Sequence, residues 1–360
     1  MAEDESMTTC EGMPPDGSIA IANWGGDNSA IYYTDTSYGV RQRTYDQGIW
    51  DGGTTSDIIF TAKTSTPLAA MQWFTNKDSP ANYTNSIRFY HLDQMCYMKE
   101  MCWNGGTSGW TTATKASKGG WFSGELDETS AVTAGNSKMA SVSYAGCLRV
   151  IYQEPGPDGY LREHCRNHTE PWFVGKRLPC PAGTRPYSGT AIAAVSRNPS
   201  APEVFVFFQC EDSNVYMAKY NGAWSVGGPL FKAQRGSGLA AVIRPSENAI
   251  QVFCANEYGT LTKHKGEPGE WKTTPGTQVL LENTAIAGRV YKRKADDKEM
   301  VALVFVLKTT GLSQSAACRT EQGRRVFEGR NVPHFLNLTH KAYHSEDGFV
   351  GGGGFDDDDD

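Results

Sequence analysis

Two arginines sit inside apolar runs of strand character: Arg88 in Ile87-Arg88-Phe89-Tyr90 and Arg149 in Leu148-Arg149-Val150-Ile151-Tyr152. Each is followed by a glutamate, Glu100 twelve positions on and Glu163 fourteen positions on. If each pair joins adjacent antiparallel strands across one turn, lengthened in the second case by Pro155-Gly156-Pro157, both side chains share one edge of the sheet. A guanidinium fork beside a carboxylate, walled by aromatic faces, is chemically suited to a sugar. Arginine donates to neighbouring ring hydroxyls, glutamate accepts from them, and the apolar C–H face packs on Trp or Tyr. The same two residues can also make a surface cross-strand ion pair worth about 0 to 1 kcal/mol. Two pairs at equivalent positions, each near a tryptophan, favour the binding reading.

The elements that would carry these residues recur. A short apolar phrase returns at Ile19-Ala20-Ile21-Ala22, Leu68-Ala69-Ala70-Met71, Met139-Ala140-Ser141-Val142, Ile192-Ala193-Ala194-Val195, Leu239-Ala240-Ala241-Val242 and Ile286-Ala287-Gly288-Arg289. The start-to-start spacings are 49, 71, 53, 47 and 47 residues, the period of supersecondary units stacked around an axis. Each copy precedes a β-branched and aromatic run, then a polar turn and a third run closing on tryptophan. The closing residues are Trp50, Trp110, Trp172, Trp224 and Trp271, with none in the sixth unit. Four short strands per unit, repeated radially, predict an all-β six-bladed β-propeller. The Ala, Ser and Gly of the phrase let six inner strands converge on a crowded axis. Ala-rich strands of an ordinary sandwich are the alternative, and the tryptophan recurring in step with the phrase argues against it.

One closed domain over residues 18–345 is expected, preceded by a flexible leader at 1–17 and followed by a disordered Gly/Asp-rich tail at 346–360. Blades are placed at about 18–57, 66–114, 137–175, 189–228, 238–274 and 283–329, with a loop insertion around Trp110 to Gly135. Residues 331–345 are candidates for a strand that closes the ring.

Composition narrows the function classes. The net charge of −6 comes mostly from Asp356 to Asp360, so the body is near neutral and no basic face for nucleic acid is implied. No apolar run approaches the ~18 to 20 residues of a membrane helix, so no membrane insertion is expected. The acidic N-terminus lacks the features of a secretory signal peptide, and a cytoplasmic or non-classically secreted protein is the expectation. Nine cysteines without paired short spacings read as free thiols, and Cys165 with His164 and His168 lacks a second cluster for zinc. Neither a metal nor a cofactor is expected. The sequons at Asn82, Asn167 and Asn337 would matter only in a secreted chain.

These motifs resemble the fungal fucose-specific lectins with six-bladed propellers. The resemblance runs from about Ile19 to Gly329, through the repeated phrase, the strand Leu148-Arg149-Val150-Ile151-Tyr152-Gln153 and Leu161-Arg162-Glu163-His164-Cys165, and is weakest in the sixth blade. It implies that fucose lies between consecutive blades. One blade supplies Arg and Glu, and the next supplies an aromatic three positions after its own Glu position together with its closing Trp. Carried over, one complete site is Arg149 and Glu163 with Tyr220 and Trp224. A second is Arg88 and Glu100 with Trp172, where Arg166 stands in place of the other aromatic. Blade one has Ala30 and Gln42 at the Arg and Glu positions, facing Trp103 and Trp110. Blade four has Phe205 and Met217, blade five Gln251 and Lys263, and blade six Gln314 at the carboxylate position. These four clefts are expected to be silent, because a sugar hydroxyl would lose its donor there.

The resemblance therefore implies a non-catalytic lectin for L-fucose or fucosylated glycans with one or two working clefts, gaining strength from several sites or from a homodimer. A glycosidase is the second class, but the two glutamates belong to separate clefts, and no Ser-x-Asp-x-Gly-x-Thr-Trp turn is present. A protein-binding scaffold with decayed sugar sites is the third. The completeness of Arg149, Glu163, Tyr220 and Trp224 speaks against it.

Overall fold

A computed structural model describes residues 8–9, 17–23, 29–46, 49–53, 58–74, 85–104, 120–144, 146–167, 170–198, 202–267, 270–292, 299–307, 315–319, 337–338 and 342–343. Each repeat folds as an antiparallel sheet whose strands follow chain order. Blade three is typical, with Met139–Tyr144, Cys147–Gln153, Leu161–Arg166 and Phe173–Arg177 side by side. Blades one, two, four and five have the same four-strand path. In the sixth sheet Ala287–Lys292, Glu299–Leu307 and Ser315–Arg319 are described, and Ala342–Tyr343 pairs with the middle strand. Each of the six inner strands touches the next, and the sixth touches the first, which closes the propeller.

The second strand of a blade reads as an unbroken apolar run because neighbouring blades cover both of its faces. In blade four Val204 through Gln209 are all buried. The core is accordingly six interblade slabs rather than one centre. Close approach at the axis explains the small residues of the phrase. A Cβ on Gly288 would lie 3.3 Å from Val242 Cγ1 of blade five and 2.9 Å from Leu303 Cδ2.

One expectation is corrected here. The fourth strand of blade two is Trp121–Ser123, with Trp121 opposite Trp103, so Trp121 and not Trp110 is the closing tryptophan. The extra residues of this unit therefore fall between its third and fourth strands. Trp110 lies outside the described residues, and the blade runs past the expected end at 114.

Burial also makes the fold sensitive to acid. Burial lowers the pKa of His91, His164 and His264 from 6.5 to about 4 in each case. An unfolded chain takes up these protons from about pH 6.5 downward, so between pH 6.5 and 4 it binds more protons than the folded one and stability falls with pH. Glu100 works in the opposite sense, since burial raises its carboxyl pKa. His164 lies 5.8 Å from Trp172 and neither of its ring nitrogens has a partner. Urea midpoints should drop between pH 7 and pH 5, and His164→Phe should make that drop smaller.

Candidate functional site

An arginine on a strand covered on both faces loses its water and must recover hydrogen bonds from protein. Arg149 is 7% exposed and Glu163 is 4% exposed. Arg149 lies opposite Cys165, and Glu163 stands two residues before Cys165 on the same strand. Strand alternation therefore puts all three on the face toward blade four. Arg149 Nη1 is ion-paired with Glu163 Oε2, and Arg149 Nε donates to the Tyr144 hydroxyl oxygen at 2.9 Å. The guanidinium carbon lies 3.9 Å from the ring centroid of Tyr220 and 5.9 Å from that of Trp224. Those two rings of blade four are 5.3 Å apart. The four residues of the first expected site thus meet in one cleft.

Glu163 is fixed from its other side as well. Its Oε1 accepts the backbone N–H of Lys176 at 3.1 Å. Gly175 makes this approach feasible, since a Cβ there would sit 2.4 Å from Glu163 Cγ.

Trp224 brings an indole N–H into the cleft that is buried and has no partner. In two other clefts the residue at the carboxylate position answers the indole: Trp121 Nε1 donates to Gln42 Oε1 at 3.3 Å, and Trp172 Nε1 donates to Glu100 Oε2 at 3.2 Å. Here Arg149 and the Lys176 amide hold Glu163, and the indole donor is left over. A buried donor without an acceptor costs about 1 to 3 kcal/mol, which a ligand oxygen would offset. Trp271 Nε1 also has no partner, because Met217 at its carboxylate position offers no acceptor.

The cleft between blades two and three collects Arg88, Glu100 and Trp172 but closes over them. Glu100 is 0% exposed. Its oxygens accept from Tyr90 Oη at 3.2 Å, Trp172 Nε1 at 3.2 Å and the backbone N–H of Leu126 at 3.4 Å, with Arg88 Nε 3.9 Å away. Leu126 belongs to a 3-10 turn, Glu125–Glu128, that caps the carboxylate. Arg166 is tied to that turn through Glu125 Oε1 at 3.0 Å. The acceptor capacity of this second pair is spent inside the protein.

The family model for the fungal fucose-specific lectins matches residues 16–224. The chain belongs to this family. A fucose-specific lectin of Aleuria aurantia is 24% identical over 274 residues, covering 60% of this chain and 79% of the relative. One of Arthroderma benhamiae is 27% identical over 266 residues, covering 67% and 69%. A crystal structure of the Aleuria aurantia lectin, described as a six-bladed β-propeller with a novel fucose recognition mode, superposes with a TM-score of 0.66 at 22% identity, covering 86% of this chain and 96% of that one.

In this member of the family the remaining clefts are built differently. At the sixth position of the repeated phrase, where blade three has Tyr144, blades four and five have Arg197 and Arg244. Arg197 Nη2 bonds Glu267 Oε2 of blade five at 2.6 Å, and Arg244 Nη2 donates to the Glu299 carbonyl of blade six at 3.0 Å. Those arginines brace one blade to the next. Between blades one and two, Gln42 and Ala30 hold the positions of Glu and Arg, as expected, and Gln42 is taken by Trp121. In blade six the pairing of Val304 with Cys318 corrects the expectation for Gln314. Cys318 stands at the carboxylate register position, and Gln314 lies outside the described residues.

Tyr144 was not among the residues expected to build the site. Its signal was its place in the repeat, at the end of an inner strand where the next two blades carry arginine.

Proposed function

We propose that the chain is a non-catalytic lectin that binds L-fucose or fucosylated glycans, and that the working site is the cleft between blades three and four. The observation that carries this reading is the pair of ready but unequal partners found there. Arg149 is held flat by Tyr144, Glu163 and Tyr220, while the Trp224 N–H waits for an acceptor. A sugar offers vicinal hydroxyls that both donate and accept, so it can satisfy the indole and bond the Arg–Glu pair together. The names of the relatives supply the monosaccharide. Its methyl group adds a modest apolar preference over a hydroxymethyl sugar, about 1 to 3 kcal/mol. Among the described residues Glu163 is the carboxylate paired with Arg149 in this cleft, and a single such group suits binding rather than glycoside hydrolysis, which needs two flanking one bond.

Titration calorimetry with L-fucose, galactose and mannose tests the proposal. Saturable heat for fucose alone, at a stoichiometry of about one, is the expected result. A stoichiometry of about two would return the blade two–three cleft to service, and silence for all three sugars would leave the protein-binding scaffold. Tyr144→Phe keeps the ring but removes the oxygen that orients Arg149. The same titration should show affinity weakened roughly three- to tenfold with little change in unfolding temperature.

A further inference from the structure

The strand register continues past Arg149 and Cys165 to an exposed aromatic. Cys165 lies opposite Arg149 on one side and Phe173 on the other. Directly opposed residues share a face, so Arg149, Cys165 and Phe173 form one row across blade three, all looking toward blade four. Gly175, two residues after Phe173, confirms the direction, because its missing Cβ would point at Glu163 and Cys165. Phe173 is 40% exposed, so the end of this row is open to solvent on the blade-four side.

The same row occurs once more. In blade two Arg88 lies opposite Cys102, and Cys102 opposite Phe122, which is 47% exposed. Blades without the arginine have other rows: Ala30, Thr44 and Asp51 in blade one; Phe205, Lys219 and Ser225 in blade four; Gln251, Lys265 and Lys272 in blade five. Among the described rows an exposed phenylalanine accompanies the sugar-type Arg–Glu pair and is absent without it. In both cases a large part of the ring stays accessible to a ligand, 40% for Phe173 and 47% for Phe122.

We infer that Phe173 forms a second subsite, an aromatic shelf at the outer mouth of the cleft that stacks on the apolar face of the sugar joined to the bound fucose. Its strand lies two interstrand steps from that of Arg149, roughly 10 Å away, which is the reach of the next ring rather than of the first. An aromatic face against pyranose C–H groups is a low-entropy, sequence-tolerant contact. The shelf rests on the fucose-binding reading above and deepens it. It makes the fucosylated oligosaccharide, not the free monosaccharide, the preferred ligand. Phe122 has no such role, because Glu100 beside it is capped by the 3-10 turn.

Calorimetry of the full chain with α-methyl-L-fucoside and with a fucosylated trisaccharide tests it. The unsubstituted protein should favour the trisaccharide roughly three- to tenfold. Phe173→Ala should bind the methyl fucoside within twofold of that protein and lose the trisaccharide advantage, and Phe122→Ala should change neither. Equal affinity of the unsubstituted protein for both ligands, an advantage surviving in Phe173→Ala, or an equal loss for both ligands would overturn the shelf alone. Failure of the unsubstituted protein to bind either ligand would overturn the fucose reading and the shelf with it.

Discussion

Arg149→Ala is expected to remove most L-fucose binding, by at least about thirtyfold in Kd. The guanidinium is the hub of the cleft: it is paired with Glu163, fixed by the Tyr144 hydroxyl and laid 3.9 Å over the Tyr220 ring. Truncation removes the donors offered to the sugar and frees Glu163 to turn toward the Trp224 N–H, which would consume the second ligand contact. It also strands a carboxylate that is 4% exposed, a loss that in a dry interior reaches about 3 to 5 kcal/mol. Water entering the vacated space, and the Lys176 amide already on Glu163, reduce that cost. Arg149→Lys separates the two effects. It keeps the charge near Glu163 but cannot reproduce the fork, so stability should largely return while affinity stays low. Calorimetry and thermal unfolding on the same samples check this, with Gln251→Ala, at the equivalent position of blade five, as the variant that leaves binding unchanged. Undiminished affinity in a folded Arg149→Ala protein would remove this cleft from the assignment.

The second large effect is expected at a glycine. Gly175→Ala would bring a methyl group to 2.4 Å from Glu163 Cγ and 2.9 Å from Cys165 Sγ. Glu163 has little freedom to retreat, because Arg149 and the Lys176 amide hold its two oxygens. Affinity should fall about tenfold or more as the carboxylate is displaced, with about 1 to 3 kcal/mol lost from stability by overpacking. Gly227→Ala in blade four is the matched control, since a Cβ there meets nothing within 4 Å. Gly124→Ala discriminates further: its Cβ would lie 2.1 Å from Glu100 Oε2, so it should destabilise the fold yet leave fucose affinity unchanged. Loss of binding in Gly124→Ala would show that the capped cleft takes part after all.

Much of the site was legible because its residues obey strand parity. Arg149 and Glu163 lie on adjacent strands, with Cys165 as the link, and alternation alone puts them on one face. Tyr220 and Trp224 are opposite each other across a tight turn of the next blade, so their spacing carried the contact. Legibility failed where loops of uneven length intervene. Trp110 was read as a blade-closing residue, but the pairing of Trp121 with Trp103 is decided by where the chain re-enters the sheet. Gln314 was misplaced against Cys318 for the same reason.

The sequence by itself determined the repeat, the six-blade count, the family and the seven residues from which both candidate clefts are assembled. These follow from period, alternation and side-chain type, all of which are local or recur in step along the chain. Arg166 in place of an aromatic already marked the second site as a departure, but only the tertiary structure decided how the two Arg–Glu pairs differ in their hydrogen bonds. The turn at Glu125–Glu128 folds back onto Glu100 and donates the Leu126 amide beside the Trp172 indole, while Glu163 is taken by Arg149 and the Lys176 amide and leaves the Trp224 N–H unanswered. Which hydrogen bonds a buried carboxylate makes depends on groups far apart in the chain, and a similar residue pair can therefore answer the indole in one cleft and leave it over in the next.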